Sequence, residues 1–137
     1  MSTELQAFAT GFPTTLLHAA ISFGLLIAGC ALYLMLSRHK EVEQIREGNA
    51  AAAISFGGII IGLAAPLAMS LNASASPLEL ALWGAAIVLV QLLGFWIIDL
   101  LLTGLPARVR EGEVAAAALL VAAKLGAALI LAAAVAG

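Results

Sequence analysis

Arg46-Glu47-Gly48, followed by an alanine-rich apolar run, recurs 64 residues later as Arg110-Glu111-Gly112 with another such run, and positions 46–68 and 110–132 are identical at 10 of 23 places. The matches include Gly62 with Gly126 and Leu67 with Leu131, so shared alanine is not the whole of it. A repeat constrains architecture before any local pattern does, because each copy must fold the same way and bury its apolar faces against its neighbours. Each copy carries two long hydrophobic segments. The expected fold is an all-α membrane protein of four transmembrane helices, built from two tandem helical hairpins. It forms one membrane domain over 1–137, with the first hairpin at 14–71 and the second at 78–136.

Composition supports the membrane reading. Hydrophobic residues make up 64 % of the chain and charged residues 10 %, with a mean hydropathy of +1.13, far from the balance of soluble domains. A crossing takes roughly 20 apolar residues at about 1.5 Å each. Four runs are long enough: 14–37, 49–71, 78–104 and 114–136. The net charge of −2 carries little information, whereas the placement of the charges carries much. Arg38, Lys40 and Arg46 lie in the first connection and Arg108 and Arg110 in the third, while the second connection and both termini have no Lys or Arg. Short basic loops stay in the cytoplasm, so loops one and three are expected inside and both termini outside. Each copy crosses twice, so the second starts on the same side as the first. The two hairpins are then related by an axis along the membrane normal and run parallel.

Several local features have structural readings. The first 13 residues lack the basic region of a signal peptide, and the apolar run after them is too long for one. Residues 2–9 are weakly amphipathic and suit the outer interface, with Phe8 and Phe12 as anchors. Pro13 suits the first turn of a helix capped by Thr10 or Gly11. His18 reads as an interfacial polar side chain, Cys30 as a small packing residue, and Asn49 and Glu113 as matching caps of the second and fourth spans. Gly58 and Gly62 form a GxxxG element whose counterparts are Ala122 and Gly126. Small residues four apart let helix backbones approach closely in lipid, and two such faces predict at least a homo-oligomer. Pro66 removes the hydrogen bond to the Gly62 carbonyl and should kink the second span, freeing a polar group that could line a hydrated site.

Asp99 and Lys124 are the formal charges lying well inside the predicted spans, away from their ends. Side chains on a helix tilt toward its N-terminus. Lys124 therefore points toward the inner face and Asp99, on an antiparallel neighbour, points toward Lys124. A lone Lys at mid-bilayer costs about 2.5–3.5 kcal/mol on insertion scales and is rarely kept without a partner. Gln91 is placed to add a hydrogen bond from the outer side. The positions matching the pair in the first copy, Met35 and Ile60, are apolar, so the pair belongs to one half alone. It reads either as a charged site on an ion pathway with Gln91 and Pro66, or as a structural lock between the third and fourth spans.

There is no Gly-rich phosphate loop, no Cys/His metal spacing and no Ser/His/Asp set in polar surroundings. No enzyme activity, catalytic residue, cofactor, metal or nucleic-acid partner is expected. The run from Asn49 through Ser55-Phe56-Gly57-Gly58 to Gly62 and Pro66, with Trp83-Gly84 and Gln91-Leu92-Leu93, resembles the YjfL-like family of small bacterial membrane proteins. The resemblance covers nearly the whole chain. It implies a four-helix protein of the bacterial inner membrane made of two short hairpins, often in settings linked to membrane-stress factors, and assigns no role to any site residue. Two functions follow. One is a small ion or solute channel or transporter. The other is a non-transporting membrane module that recruits a cytoplasmic stress-response partner through the charged loop at 38–47.

Overall fold

The computed structural model describes residues 2–37 and 40–137. Arg38, one of the charges on which the orientation rests, lies outside the described residues. Six helices follow one another: α1 Thr3–Leu36, α2 Glu41–Arg46, α3 Ala50–Ala73, α4 Pro77–Leu101, α5 Leu105–Arg110 and α6 Val114–Ala136. No strand occurs among the described residues. Helices α1, α3, α4 and α6 are long and apolar enough to cross a membrane.

The repeated Arg-Glu-Gly triplet ends a short helix in both places. Gly48 and Gly112 adopt φ of 91° and 87°, a left-handed conformation that glycine enters without a Cβ penalty. The amide of Gly48 then donates to Ile45 and that of Asn49 to Gln44, while Gly112 donates to Val109 and Glu113 to Arg108. This is the paired bonding that closes a helix on a C-terminal glycine. The residue after each glycine is the N-cap of the next long helix. One triplet thus stops a helix of six residues and aims the chain back into the bilayer.

The long helices start on recognisable signals. The Asn49 carboxamide accepts from the Ala52 amide at 3.1 Å. Ser76 accepts from Glu79, whose carboxylate reaches back to the Ala75 amide, and Pro77 occupies the first turn. The first helix departs from expectation. It begins at Thr3, capped by the Ser2 hydroxyl, and Pro13 lies inside it instead of at its start. Residues 4–7, Glu-Leu-Gln-Ala, are good helix formers with an acid in the first turn, and an exposed turn tolerates the carbonyl that a proline leaves free. At 34 residues α1 is roughly 51 Å long, well beyond the ~30 Å hydrocarbon core.

Helix α3 is the axis of the bundle. It packs most extensively on α6 and also touches α1, α4 and both short helices. Ile59, Leu63 and Leu67 of α3 meet Val88, Leu92 and Phe95 of α4 in the main core. A second cluster joins Ala51 of α3, Val109 of α5 and Ala116, Ala117 and Leu120 of α6. Helix α1 is peripheral, with Gly29 as its buried residue, where an added Cβ would come 3.0 Å from Val88 and 3.2 Å from Leu63.

Candidate functional site: a buried charged cluster near one end of the bundle

Lys124 of α6 is 2 % exposed, and its Nζ lies 2.9 Å from Asp99 Oδ1 of α4. The tilt of both side chains toward their own N-termini brings the two ends together, although the residues stand on different helices. The contact is an ion pair, not an aligned hydrogen bond. The ammonium also lies 5.8 Å from the ring centroids of Tyr33 and Phe95, within range of cation–π attraction. Asp99 is the more exposed partner, its side chain 29 % exposed.

Two further members come from the first half of the chain. Glu41, the first residue of α2, is 5 % exposed. Its Oε1 accepts from the Tyr33 hydroxyl at 2.8 Å and the Ser37 hydroxyl at 3.4 Å, and its Oε2 is buried without a hydrogen-bond partner among the described residues. Burial pushes the Glu41 carboxyl above its ordinary range. The Asp99 charge adds to that rise, while the Tyr33 and Ser37 hydroxyls and the Lys124 charge oppose it. Lys124, Asp99, Glu41 and Tyr33 face about 10 Å³ of free space, near the ~10–15 Å³ at which one water fits. The arrangement can bind and release a proton. Among the described residues no group of acidic, His or Cys side chains is placed to hold a metal ion.

Gln91 does not reach this cluster. Its side-chain amide donates to the Gly62 carbonyl at 3.1 Å, in a buried position. That is the carbonyl released by Pro66, four residues on, so the gap left by the proline is filled from α4. Gln91 and Pro66 are both buried and belong to one structural joint. The small-residue positions divide in the same way. Gly58 and Gly62 are buried, and a Cβ there would stand 2.8 Å from Val121 and 2.7 Å from Phe95. Ala122 and Gly126 are exposed, with nothing within 4 Å of a Cβ on Gly126.

Glu41 and Tyr33 escaped the sequence reading, because Glu41 looks like one of several charges in a connection. A signal was present in the repeat. The residues matching Glu41 and Ile45 are Leu105 and Val109, four apart, which marks that face of the short helix as inward. A carboxylate standing where the other copy has leucine is a buried charge in need of partners.

The ends of the short helices differ too. Arg108 pairs with Glu113, leaving Glu113 without a capping bond, while the Asn49 amide donates to the Val109 and Arg110 carbonyls at 3.1 Å each. Asn49 thereby caps α3 and closes α5 at once.

No curated protein and no solved structure matches the chain. The model of the family described as Domain of Unknown Function (DUF350) matches residues 7–135. With that match across nearly its whole length, this four-helix membrane protein belongs to the DUF350 family.

Proposed function

We propose that this chain is a non-transporting membrane module that holds a charged surface at the inner membrane face for a cytoplasmic protein partner. The observation that carries this reading is the closed core beyond the charged cluster. Ile59, Leu63, Leu67, Val88 and Phe95 are each 6 % exposed or less, and Gln91 seals the Gly62 carbonyl. An ion leaving Lys124 for the other end would have to cross this apolar core, in which the buried polar side chains are Gln91, already spent on the Gly62 carbonyl, and Ser70. The cluster instead fastens α2 to the bundle through Glu41. The solvent face of the short helices then presents Lys40, Glu43, Arg46, Glu47, Arg110 and Glu111, all exposed.

This reading includes the finer expectations drawn from the sequence: a YjfL-like protein of the bacterial inner membrane, two parallel-related hairpins, both termini periplasmic, and no enzymatic step. Matching six-residue helices at the 64-residue offset, each closed by a left-handed glycine, support the duplicated hairpin. Self-association is retained on narrower grounds. Gly58 and Gly62 are occupied within the chain, so Ala122 and Gly126 on α6 are the small-residue face left for a second copy.

One observation favours transport as a second reading. Asp99 is partly exposed along the chain's own outer surface, where a neighbouring copy would complete a path that the single bundle lacks. Proton and monovalent-ion flux in proteoliposomes under an imposed gradient separates the two. No flux above protein-free vesicles is expected. A flux abolished by Asp99→Asn would overturn the proposal and establish the second reading. For the partner, a photo-crosslinker at Glu43 should capture a discrete protein from intact cells, whereas one at Ser74 should not. Crosslinks from neither position, or from both alike, would count against an inner-face partner.

A further inference from the structure

A groove of about 890 Å³ runs along the outside of the bundle between α1, α4 and α5, within the ~300–1,000 Å³ span of small-molecule sites. We propose that it is a binding site for one anionic phospholipid of the leaflet on the α2/α5 side, with an acyl chain along α4 and the phosphate at Arg110.

Length is the first argument. The lining on α4 runs from Leu89 to Leu100, roughly 17 Å along the axis, close to half of the ~30 Å hydrocarbon core. That is the reach of a chain within one leaflet. The lining is also graded. Leu32 of α1 with Leu89, Leu93 and Trp96 of α4 make its deeper part apolar, Leu36 stands beside Ser37 at the end of α1, and polar groups gather toward α5.

Charge is the second argument and decides the headgroup. Helix α5 has two arginines with different fates. Arg108 is taken up by Glu113, whereas Arg110 lines the groove and has no carboxylate partner among the described residues. Asp99 also lines the groove, but it pairs with Lys124 behind it and makes no ion pair with Arg110. An unpaired guanidinium at the mouth of an apolar groove at headgroup level fits a lipid phosphate, which it can bind through two parallel hydrogen bonds.

Trp96 lies in the groove and is one of two tryptophans, so a Trp83→Phe variant reports on it alone. The protein is reconstituted in phosphatidylcholine containing a small fraction of either phosphatidylglycerol or phosphatidylcholine with brominated chains. Brominated phosphatidylglycerol should quench Trp96 with about fivefold preference, the factor that one basic residue contributes beside anionic lipid. Arg110→Gln should remove the preference, Arg110→Lys should keep most of it, and Arg46→Gln, on the other short helix, should leave it unchanged. Equal quenching by the two headgroups in the Arg110 protein would overturn the proposal. So would a preference that survives Arg110→Gln, or one abolished by inorganic phosphate, which would mark a site for free anions.

Discussion

The helix that follows each Arg-Glu-Gly triplet has been put to different use. In α3 ten residues are buried and in α6 six, although both carry Ala-Ala-Ala from their second residue and share a glycine at their thirteenth. Helix α3 lies at the centre, so its Gly58 and Gly62 let Val121 and Phe95 press against its backbone. Helix α6 lies against α3 and only lightly against α4, and the matching Ala122 and Gly126 look outward. The charges are reversed: the apolar copy is the central one, while the outer copy carries Lys124 and turns it inward. A repeated motif transmits backbone form, since glycine and cap act locally. What that form is packed against depends on position in the bundle.

The largest expected effect breaks the charge difference between the copies. Lys124→Met should lower bundle stability by about 3–5 kcal/mol, because it leaves Asp99 and the buried Glu41 without a counter-charge. Asp99→Asn should cost less, since Asp99 is only partly buried and Glu41 still answers Lys124. The double variant should recover only part of the loss, with full recovery requiring Glu41→Gln as well. Thermal denaturation in detergent measures all four. Additive losses from Lys124→Met and Asp99→Asn would show that the pair is not energetically coupled.

The two glycines sharpen the packing difference. Gly62→Ala places a methyl group 2.7 Å from the Phe95 ring and should cost about 1–3 kcal/mol. Gly126→Ala meets nothing and should leave the unfolding temperature of a single chain unchanged or slightly raised, since alanine favours helix. If Gly126→Leu lowers the apparent mass in detergent without loss of helicity, the outward face is an interface between copies. Unchanged mass would assign it to lipid.

The joint between the copies has its own test. Gln91→Leu strips the Gly62 carbonyl of its donor and should cost about 1–3 kcal/mol. In a Pro66→Ala background the helix regains its own amide donor to that carbonyl, so the same change should cost much less. Equal costs in both backgrounds would mean that Gln91 is held for another reason.

The caps give the smallest effect. Asn49→Ala should cost about 1 kcal/mol or somewhat more, because Asn49 serves two helix ends. Glu113→Ala removes an exposed ion pair and should cost less than Asn49→Ala. Circular dichroism melts of the two variants side by side would show the asymmetry.

Much of the fold was legible along the chain. Four apolar runs set the spans to within a few residues at most of their ends, because a bilayer demands a fixed length of helix and a satisfied backbone. The pairing of Asp99 with Lys124 followed from side-chain tilt on neighbouring helices. The start of α1 was misread because Pro13, read alone, looks like a beginning, and the cap at Ser2 lies beyond it.

What the sequence alone determined is local: where most of the spans begin and end, that Asn49 caps the second of them, and that the chain lives in lipid. These depend on groups a few residues apart, which the chain keeps together. Only the tertiary structure decided that Glu41 joins Lys124 and Asp99, that Gln91 answers the carbonyl freed by Pro66, and that two small-residue motifs have opposite exposure. Those partners lie 29 to 83 residues apart in the chain. In lipid, hydrophobicity gives helices no drive to associate and no direction in which to do so. The choice of face is left to close backbone contact and to a few polar groups that must find one another, and neither is visible until the helices are packed.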